Sequence, residues 1–359
     1  MLPSHGAYPS YLYKSLNIRM PENIIDFSVN INPFGPPECI RKNWDRFFSF
    51  VSDYPDPDMA ELRAVIAGKE NVSPENILIG NGAAELIFII AAALLQNEDV
   101  LIVEPAFSEY RKACEPFSKR ISSYVLKEED NWELNVEELK TALSGKKAVF
   151  LCHPNNPTGK VFNREALLEI IRDAKKKHAF VVLDEAFYDF ALENVSILNC
   201  LSSFSNVIIL RSLTKMYAIA GLRLGFLLAD ETVIQRLKKF QVHWSVNAIG
   251  QRAGIEALKD EDYVKKTKRM ISKERKRMFE HLHELGFVVA DSSVNFYLLR
   301  EQPKKDMLPL IRFLLERGIV PRHTYNFNGL SGKYIRLAVK RKEENDRLLL
   351  ALKEWKDKC

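Results

Sequence analysis

Short apolar runs of strand length recur along the chain, at 77–80, 100–103, 148–152, 180–183, 207–211 and 224–228, with amphipathic stretches such as 164–177 between them. A run without polar alternation is a strand buried on both faces, and strands alternating with helical periodicity predict an α/β fold with a mostly parallel, helix-covered sheet. Ligands in such sheets gather at the carboxyl ends of the strands. Beyond a helical region over about 247–285, strands at 294–300 and 333–339 flank a helix at about 304–317, the pattern of a smaller α+β domain. The expected division is an N-terminal arm over 1–40 that packs on the small domain, a large domain over 41–285 and a small C-terminal domain over 286–359. No internal repeat, low-complexity tract or flexible linker is visible.

Composition narrows the classes. The five cysteines, at Cys39, Cys114, Cys152, Cys200 and Cys359, form neither a disulfide framework nor a C-x-x-C metal knot, so reduced thiols in the cytoplasm and no metal are expected. There is no basic segment followed by an apolar core at the N-terminus, and the most apolar window, 86–95, is too short to span a bilayer. The net charge of +5 is modest. The densest basic run, 265–277, carries Met270 and Ile271 with Met278 just beyond it at helical spacing, which reads as the wet face of a long helix rather than a nucleic-acid patch.

The chemistry concentrates after three of the predicted strands. Arg211-Ser212-Leu213-Thr214-Lys215 precedes Gly221-Leu222-Arg223-Leu224-Gly225, setting one lysine between hydroxyls and an arginine. A lysine amine attacks a carbonyl when burial or a neighbouring cation lowers its pKa, and a phosphate needs hydroxyl donors and a guanidinium that stays charged. Alone, this is equally a surface lysine and a structural ion pair. Val181-Val182-Leu183-Asp184-Glu185 is an apolar strand ending in a carboxylate, which can hold a pyridinium nitrogen protonated or, in isolation, cap a helix. The run over 148–152 empties into His153-Pro154-Asn155-Asn156-Pro157-Thr158-Gly159, a turn by composition in which an asparagine can offer an amide donor. Ile79-Gly80-Asn81-Gly82-Ala83-Ala84 reads as strand, glycine turn and helix start, where free amides bind phosphate.

Together these segments, in order and nearly end to end, resemble the class I/II aminotransferases, pyridoxal-phosphate enzymes of fold type I. The resemblance implies pyridoxal 5′-phosphate bonded to Lys215, its ring nitrogen paired by Asp184 and its ring hydroxyl met by Asn156. It further implies a phosphate site from Gly82, Ala83, Ala84, Ser212 and Arg223, with Phe107 stacked on the ring. Tyr54 matches a tyrosine that reaches the cofactor phosphate of a neighbouring subunit, so a homodimer with shared active sites is expected. Arg336, in Tyr334-Ile335-Arg336-Leu337, matches the arginine that grips the substrate α-carboxylate.

A narrower likeness is to the L-threonine O-3-phosphate decarboxylases of cobalamin biosynthesis. It rests on Ser4-His5-Gly6, on Asp26-Phe27-Ser28-Val29-Asn30-Ile31-Asn32-Pro33, on the segment 211–225, on Trp244-Ser245-Val246-Asn247-Ala248 and on Phe187, where aminotransferases commonly carry tyrosine. It implies that His5, Gly6, Asn32, Asn156, Arg322 and Arg336 bind a phosphorylated amino acid. Ala7 and the pair Ala83-Ala84 depart from that subgroup's usual residues. Histidinol-phosphate aminotransferase is the alternative, because both substrates join an amine to a phosphate monoester. A pyridoxal-phosphate-binding regulator would need a winged helix ahead of Asp26, which only 25 residues precede.

Overall fold

The computed structural model describes residues 2–358; Met1 and Cys359 lie outside the described residues. In chain order the strands are β1 (Ile25–Asp26), β2 (Ile77–Gly80), β3 (Asp99–Glu104), β4 (Arg120–Val125), β5 (Ala148–Cys152), β6 (Phe180–Asp184), β7 (Val207–Ser212), β8 (Gly225–Ala229), β9 (Val288–Val289), β10 (Phe296–Arg300), β11 (Ile319–Val320), β12 (Arg322–His323) and β13 (Ile335–Ala338).

Seven of them form one sheet in the order β2-β8-β7-β6-β5-β3-β4. Pairing is parallel from β4 through to β7, whereas β8 runs antiparallel to both of its neighbours, which makes the sheet mixed at that edge. The fully apolar strands are buried on both faces, as parallel strands under two helical layers must be. Alternate residues feed two cores. Val149, Leu151, Val181, Leu183 and Ile209 point to one, packed by the helices Ala60–Glu70, Arg164–Lys176 and Ala248–Lys259. Ala148, Phe150, Val182, Ile208 and Leu210 point to the other, under Ala83–Leu94, Glu109–Cys114 and Glu231–Lys238. This alternation fixes which strand-end side chains share a face.

Strand β4, of sequence RISSYV, lies at the sheet edge, half open to water, and has no apolar run to mark it. The helical region near 247–285 is two helices, Ala248–Lys259 and Glu261–Glu284, divided at Asp260, whose side chain accepts from Tyr263 N–H. The helix expected from 304 begins at Leu308, where Asp306 Oδ1 accepts the Leu308 N–H at 2.9 Å. Met270 is 41% exposed; Thr267, Ile271, Met278 and Leu282 form the buried stripe of the long helix, since a step of four places Thr267 and not Met270 above Ile271.

A second sheet, β12-β13-β10-β9, is antiparallel throughout. The first residues of the chain lie against this region. Strand β1 pairs in parallel with β11, the Tyr13 hydroxyl donates to Leu315 O at 2.8 Å, and Arg322 donates to Ser4 O at 2.7 Å. The two sheets meet at the turn after β5: Gly159 has φ +80, a Cβ there would run into Ser292 Oγ, and Ser293 N–H donates to Gly159 O at 3.1 Å. Among the described residues no helix is long and apolar enough to cross a membrane.

Candidate active site

Strand β6 ends on Asp184, whose register partners are Cys152 on β5 and Leu210 on β7. Its side chain lies on the face that also carries Tyr110, and the Tyr110 hydroxyl donates to Oδ2 at 2.5 Å while Ala186 N–H donates to Oδ1 at 2.9 Å. Burial raises the Asp184 pKa, and the hydrogen bonds from Tyr110 and Ala186 work against that rise. The neighbouring Glu185 faces the other core and pairs with the buried Arg211 at 2.8 Å.

Strand β7 delivers Ser212 on the Asp184 face, and the chain then turns into the short helix Leu213–Met216 that carries Lys215. The Lys215 amine is lowered to about 8, chiefly by burial and then by the charges of Arg223 and Arg336, with Asp184 opposing them. The neutral, nucleophilic form of that amine is therefore far more populated near neutral pH than in an ordinary lysine. Ser212 Oγ and Thr214 Oγ1 stand 2.8 Å apart.

Arg223 adopts a left-handed backbone, φ +55, and folds its guanidinium back over the turn after β2. A Cβ on Gly82, itself at φ +79, would lie 2.6 Å from Arg223 Nη2, so only glycine leaves room for the guanidinium. Ala83 and Ala84 are the first two residues of the helix Ala83–Leu94, and their N–H groups have no intrahelical acceptor. Guanidinium, hydroxyls and helix-start amides thus form a cradle suited to a phosphate.

Asn156 is buried in the turn after β5, which its neighbour Asn155 shapes by accepting from Thr158 and donating to Pro105 O. Asn156 Oδ1 accepts from Arg336 Nη1 at 2.6 Å, and Arg336 Nη2 donates to Ser28 O at 2.6 Å. Arg322 and Arg336 are direct register partners across β12 and β13, so both side chains leave the same face. Both are buried, at 4% and 6% exposure, and neither forms an ion pair among the described residues. Arg322 Nη2 is held by Ser4 O and by Asn326 Oδ1 at 2.7 Å, while its Nη1 is buried without a partner. Burial lowers Arg322 to about 10 and, with the charge of Arg322, lowers Arg336 to about 9. Two cations side by side in a desolvated place are stabilised by an incoming anion.

The remaining expected residues divide. His5 lies 5.9 Å from Phe107, ring centre to ring centre, and Gly6 packs so closely on Ser28 that a Cβ would come within 2.7 Å of Ser28 Oγ. Phe107 is half-buried on the Tyr110 side of the site. Asn32 is tied to the turn that carries Lys215 and to the long helix. Its buried Nδ2 is within 2.8 Å of Met216 O, 2.8 Å of Tyr263 Oη and 3.1 Å of Thr267 Oγ1, its Oδ1 accepts from Phe34, and its N–H donates to Lys215 O. These bonds brace the turn that carries Lys215. Tyr54 is 83% exposed, its ring tilted by 41° against that of Trp244 at 5.1 Å between centres. Phe187 is buried edge-on against Phe296 at 4.8 Å, with no hydrogen bond to give.

Tyr110, Ser28 and Asn326 belong to the site and were not singled out by sequence reasoning. For Tyr110 the available signal is its place three residues after Phe107; Ser28 and Asn326 are brought in by tertiary pairing alone.

These features fit pyridoxal phosphate: a neutralisable lysine, a buried carboxylate oriented by two donors, and a cradle that a Cβ would fill. The sequence profile of "Aminotransferase class I and II" matches residues 22–352. A threonine-phosphate decarboxylase of Salmonella typhimurium is 35% identical over 93% of this chain and 91% of that protein. Among solved structures, the histidinol-phosphate aminotransferase of Clostridium acetobutylicum superposes with a TM-score of 0.88 at 29% identity, over 94% of this chain and all of that one. The L-threonine-O-3-phosphate decarboxylase of Porphyromonas gingivalis does so with a TM-score of 0.83 at 26% identity, over 93% of this chain and all of that one. The chain belongs to the class I and II aminotransferase family, enzymes that work with pyridoxal 5′-phosphate.

Proposed function

We propose that the protein decarboxylates L-threonine O-3-phosphate, giving (R)-1-amino-2-propanol O-2-phosphate and CO2 for adenosylcobalamin biosynthesis. The carrying observation is the pair Arg322 and Arg336, two buried guanidinia on one face that form no ion pair among the described residues, with only the more distant charge of Asp26 acting on Arg336. A substrate with both a carboxylate and a phosphate offers one anion to each.

Bound pyridoxal phosphate supplies an electron sink for charge developing at the substrate α-carbon. Arg336, steadied by Asn156 and Ser28, holds the carboxylate so that its bond to the α-carbon stands across the plane of the ring. Arg322 and His5 take the phosphate. Asp184 keeps the ring nitrogen protonated. The substrate amine would take the place of Lys215 on the cofactor; the freed Lys215 amine would accept the proton that the substrate ammonium gives up and would deliver it to the α-carbon, so that hydrogen replaces the departing CO2. The active unit is a homodimer: Phe48, Val51, Tyr54, Val242 and Trp244 are exposed apolar side chains, and Tyr54 would serve the partner's cofactor phosphate.

Histidinol-phosphate aminotransferase remains the second reading, favoured by the fold match to the Clostridium enzyme. Histidinol phosphate lacks a carboxylate, so Arg336 would face an anion only in the keto-acid half of that reaction. Purified holoenzyme is expected to release CO2 from O-phospho-L-threonine without a keto acid. Amino transfer from histidinol phosphate to 2-oxoglutarate, with no CO2 from phosphothreonine, would overturn the proposal.

A further inference from the structure

Phe107 and Tyr110 face the site, and between and beyond them the chain presents Glu109 and Lys112, one helical turn apart. Lys112 Nζ lies 2.9 Å from Glu109 Oε1 and 3.1 Å from His5 Nε2, and that same Glu109 oxygen lies 2.9 Å from His5 Nε2. A surface i,i+3 pair alone stabilises very little. Here a third group, His5 from the first residues of the chain, shares the one oxygen. His5 is in turn tied to the arginine pair, because Arg322 holds the carbonyl of the preceding Ser4 at 2.7 Å and keeps a buried, unpartnered Nη1.

We propose that Glu109 Oε1 occupies the position of a substrate phosphate oxygen, and that Lys112 is a specificity-determining residue which joins His5 and Arg322 on the phosphate when Glu109 withdraws. This rests on the reading that the substrate carries a phosphate monoester. A phosphate dianion offers more charge and one more acceptor oxygen than a carboxylate, so it displaces Glu109 from the cations. Exposed by half, Lys112 can follow the incoming anion on its flexible stem. An unphosphorylated amino acid brings nothing to displace Glu109, and Lys112 stays bound to it. Selection for the phosphate then lies in a switch of one lysine between two anions.

The test titrates holoenzyme absorbance with O-phospho-L-threonine and with L-threonine, for wild type, Lys112→Gln, Glu109→Gln and Arg322→Gln. Lys112→Gln is expected to weaken phosphothreonine about tenfold and to leave threonine within about twofold. In turnover the loss appears in KM, with kcat nearly unchanged. Glu109→Gln is expected to tighten phosphothreonine, because the competing carboxylate is gone. If Arg322→Gln weakens phosphothreonine while Lys112→Gln binds it like wild type, the role of Lys112 is refuted and the phosphate reading stands. If wild type itself fails to prefer phosphothreonine over threonine, the phosphate reading falls and this inference with it. Unchanged melting temperatures of the glutamine variants separate these outcomes from misfolding.

Discussion

Arg223 Nη2 occupies the space that the side chain of any residue but glycine would take at position 82, at 2.6 Å from an ideal Cβ. The two sites come from opposite ends of the large sheet's sequence, yet β2 and β8 are hydrogen-bonded neighbours, with Gly80 paired to Gly225. Gly82→Val is therefore expected to push the guanidinium off the phosphate cradle and to force a side chain into φ +79. Losing a charge-assisted hydrogen bond costs about 1.5–3 kcal/mol, so cofactor affinity falls roughly 10- to 100-fold. Fluorescence titration of the apoprotein with pyridoxal phosphate measures it, and wild-type affinity in the variant would refute the contact.

The Lys215 amine, lowered to about 8 by burial and by Arg223 and Arg336, sets a second expectation. Its folded pKa lies below the ordinary lysine value, so the neutral form appears as pH rises through about 8 instead of through the usual range above 10. The rate at which apoprotein captures pyridoxal phosphate should climb to a plateau with its midpoint near 8. Replacing Arg223 by Gln removes one of the two cations that depress the amine, and the midpoint is then expected to move upward. Stopped-flow absorbance across the pH range reads both, and an unmoved midpoint in Arg223→Gln would exclude that coupling.

Arg211 is 1% exposed and pairs with Glu185 at 2.8 Å, while its guanidinium centre stacks 3.2 Å above the Tyr188 ring and Nη2 donates to Ser196 at 2.8 Å. The pair sits one residue from Ser212 and one from Asp184, on the opposite face of the sheet, so it anchors the two strand ends that aim the site. Arg211→Met leaves the Glu185 carboxylate buried without its cation, which costs about 3–5 kcal/mol. Urea unfolding of the holoprotein checks this. The double variant Arg211→Met with Glu185→Gln is expected to recover part of the loss, since the uncompensated charge is gone.

Much of this was legible in the sequence because the strands are buried on both faces, so their apolar runs mark them without ambiguity. The residues that follow them, Asn156, Asp184 and Lys215, stand at their carboxyl ends. What escaped was decided by pairing between distant segments. Strand β4 has polar residues because one edge of it faces water, and the reversed direction of β8 leaves no mark in a run that is apolar either way. The three partners of the Asn32 amide, at the turn of Met216 and on the long helix, are likewise set by tertiary pairing. On the same helix the run 265–277 is the wet face the sequence suggests, and the helical phase leaves Met270 in water while Ile271 is buried.

Tyr110 carries the last expectation. Its hydroxyl, at 2.5 Å from Asp184 Oδ2, is one of two donors that oppose the rise which burial imposes on that carboxyl. Tyr110→Phe removes the donor and leaves the ring packed against Phe150, so Asp184 is expected to take up a proton at a higher pH than in wild type. A protonated Asp184 cannot hold the cofactor ring nitrogen protonated, and the acid limb of kcat against pH should therefore shift upward. At neutral pH kcat is expected to fall about tenfold, the equivalent of one lost hydrogen bond to a charged group, while KM for the amino acid changes little. An acid limb that stays where it is, with kcat intact, would mean that Ala186 N–H alone suffices to hold Asp184 and that the tyrosine only packs.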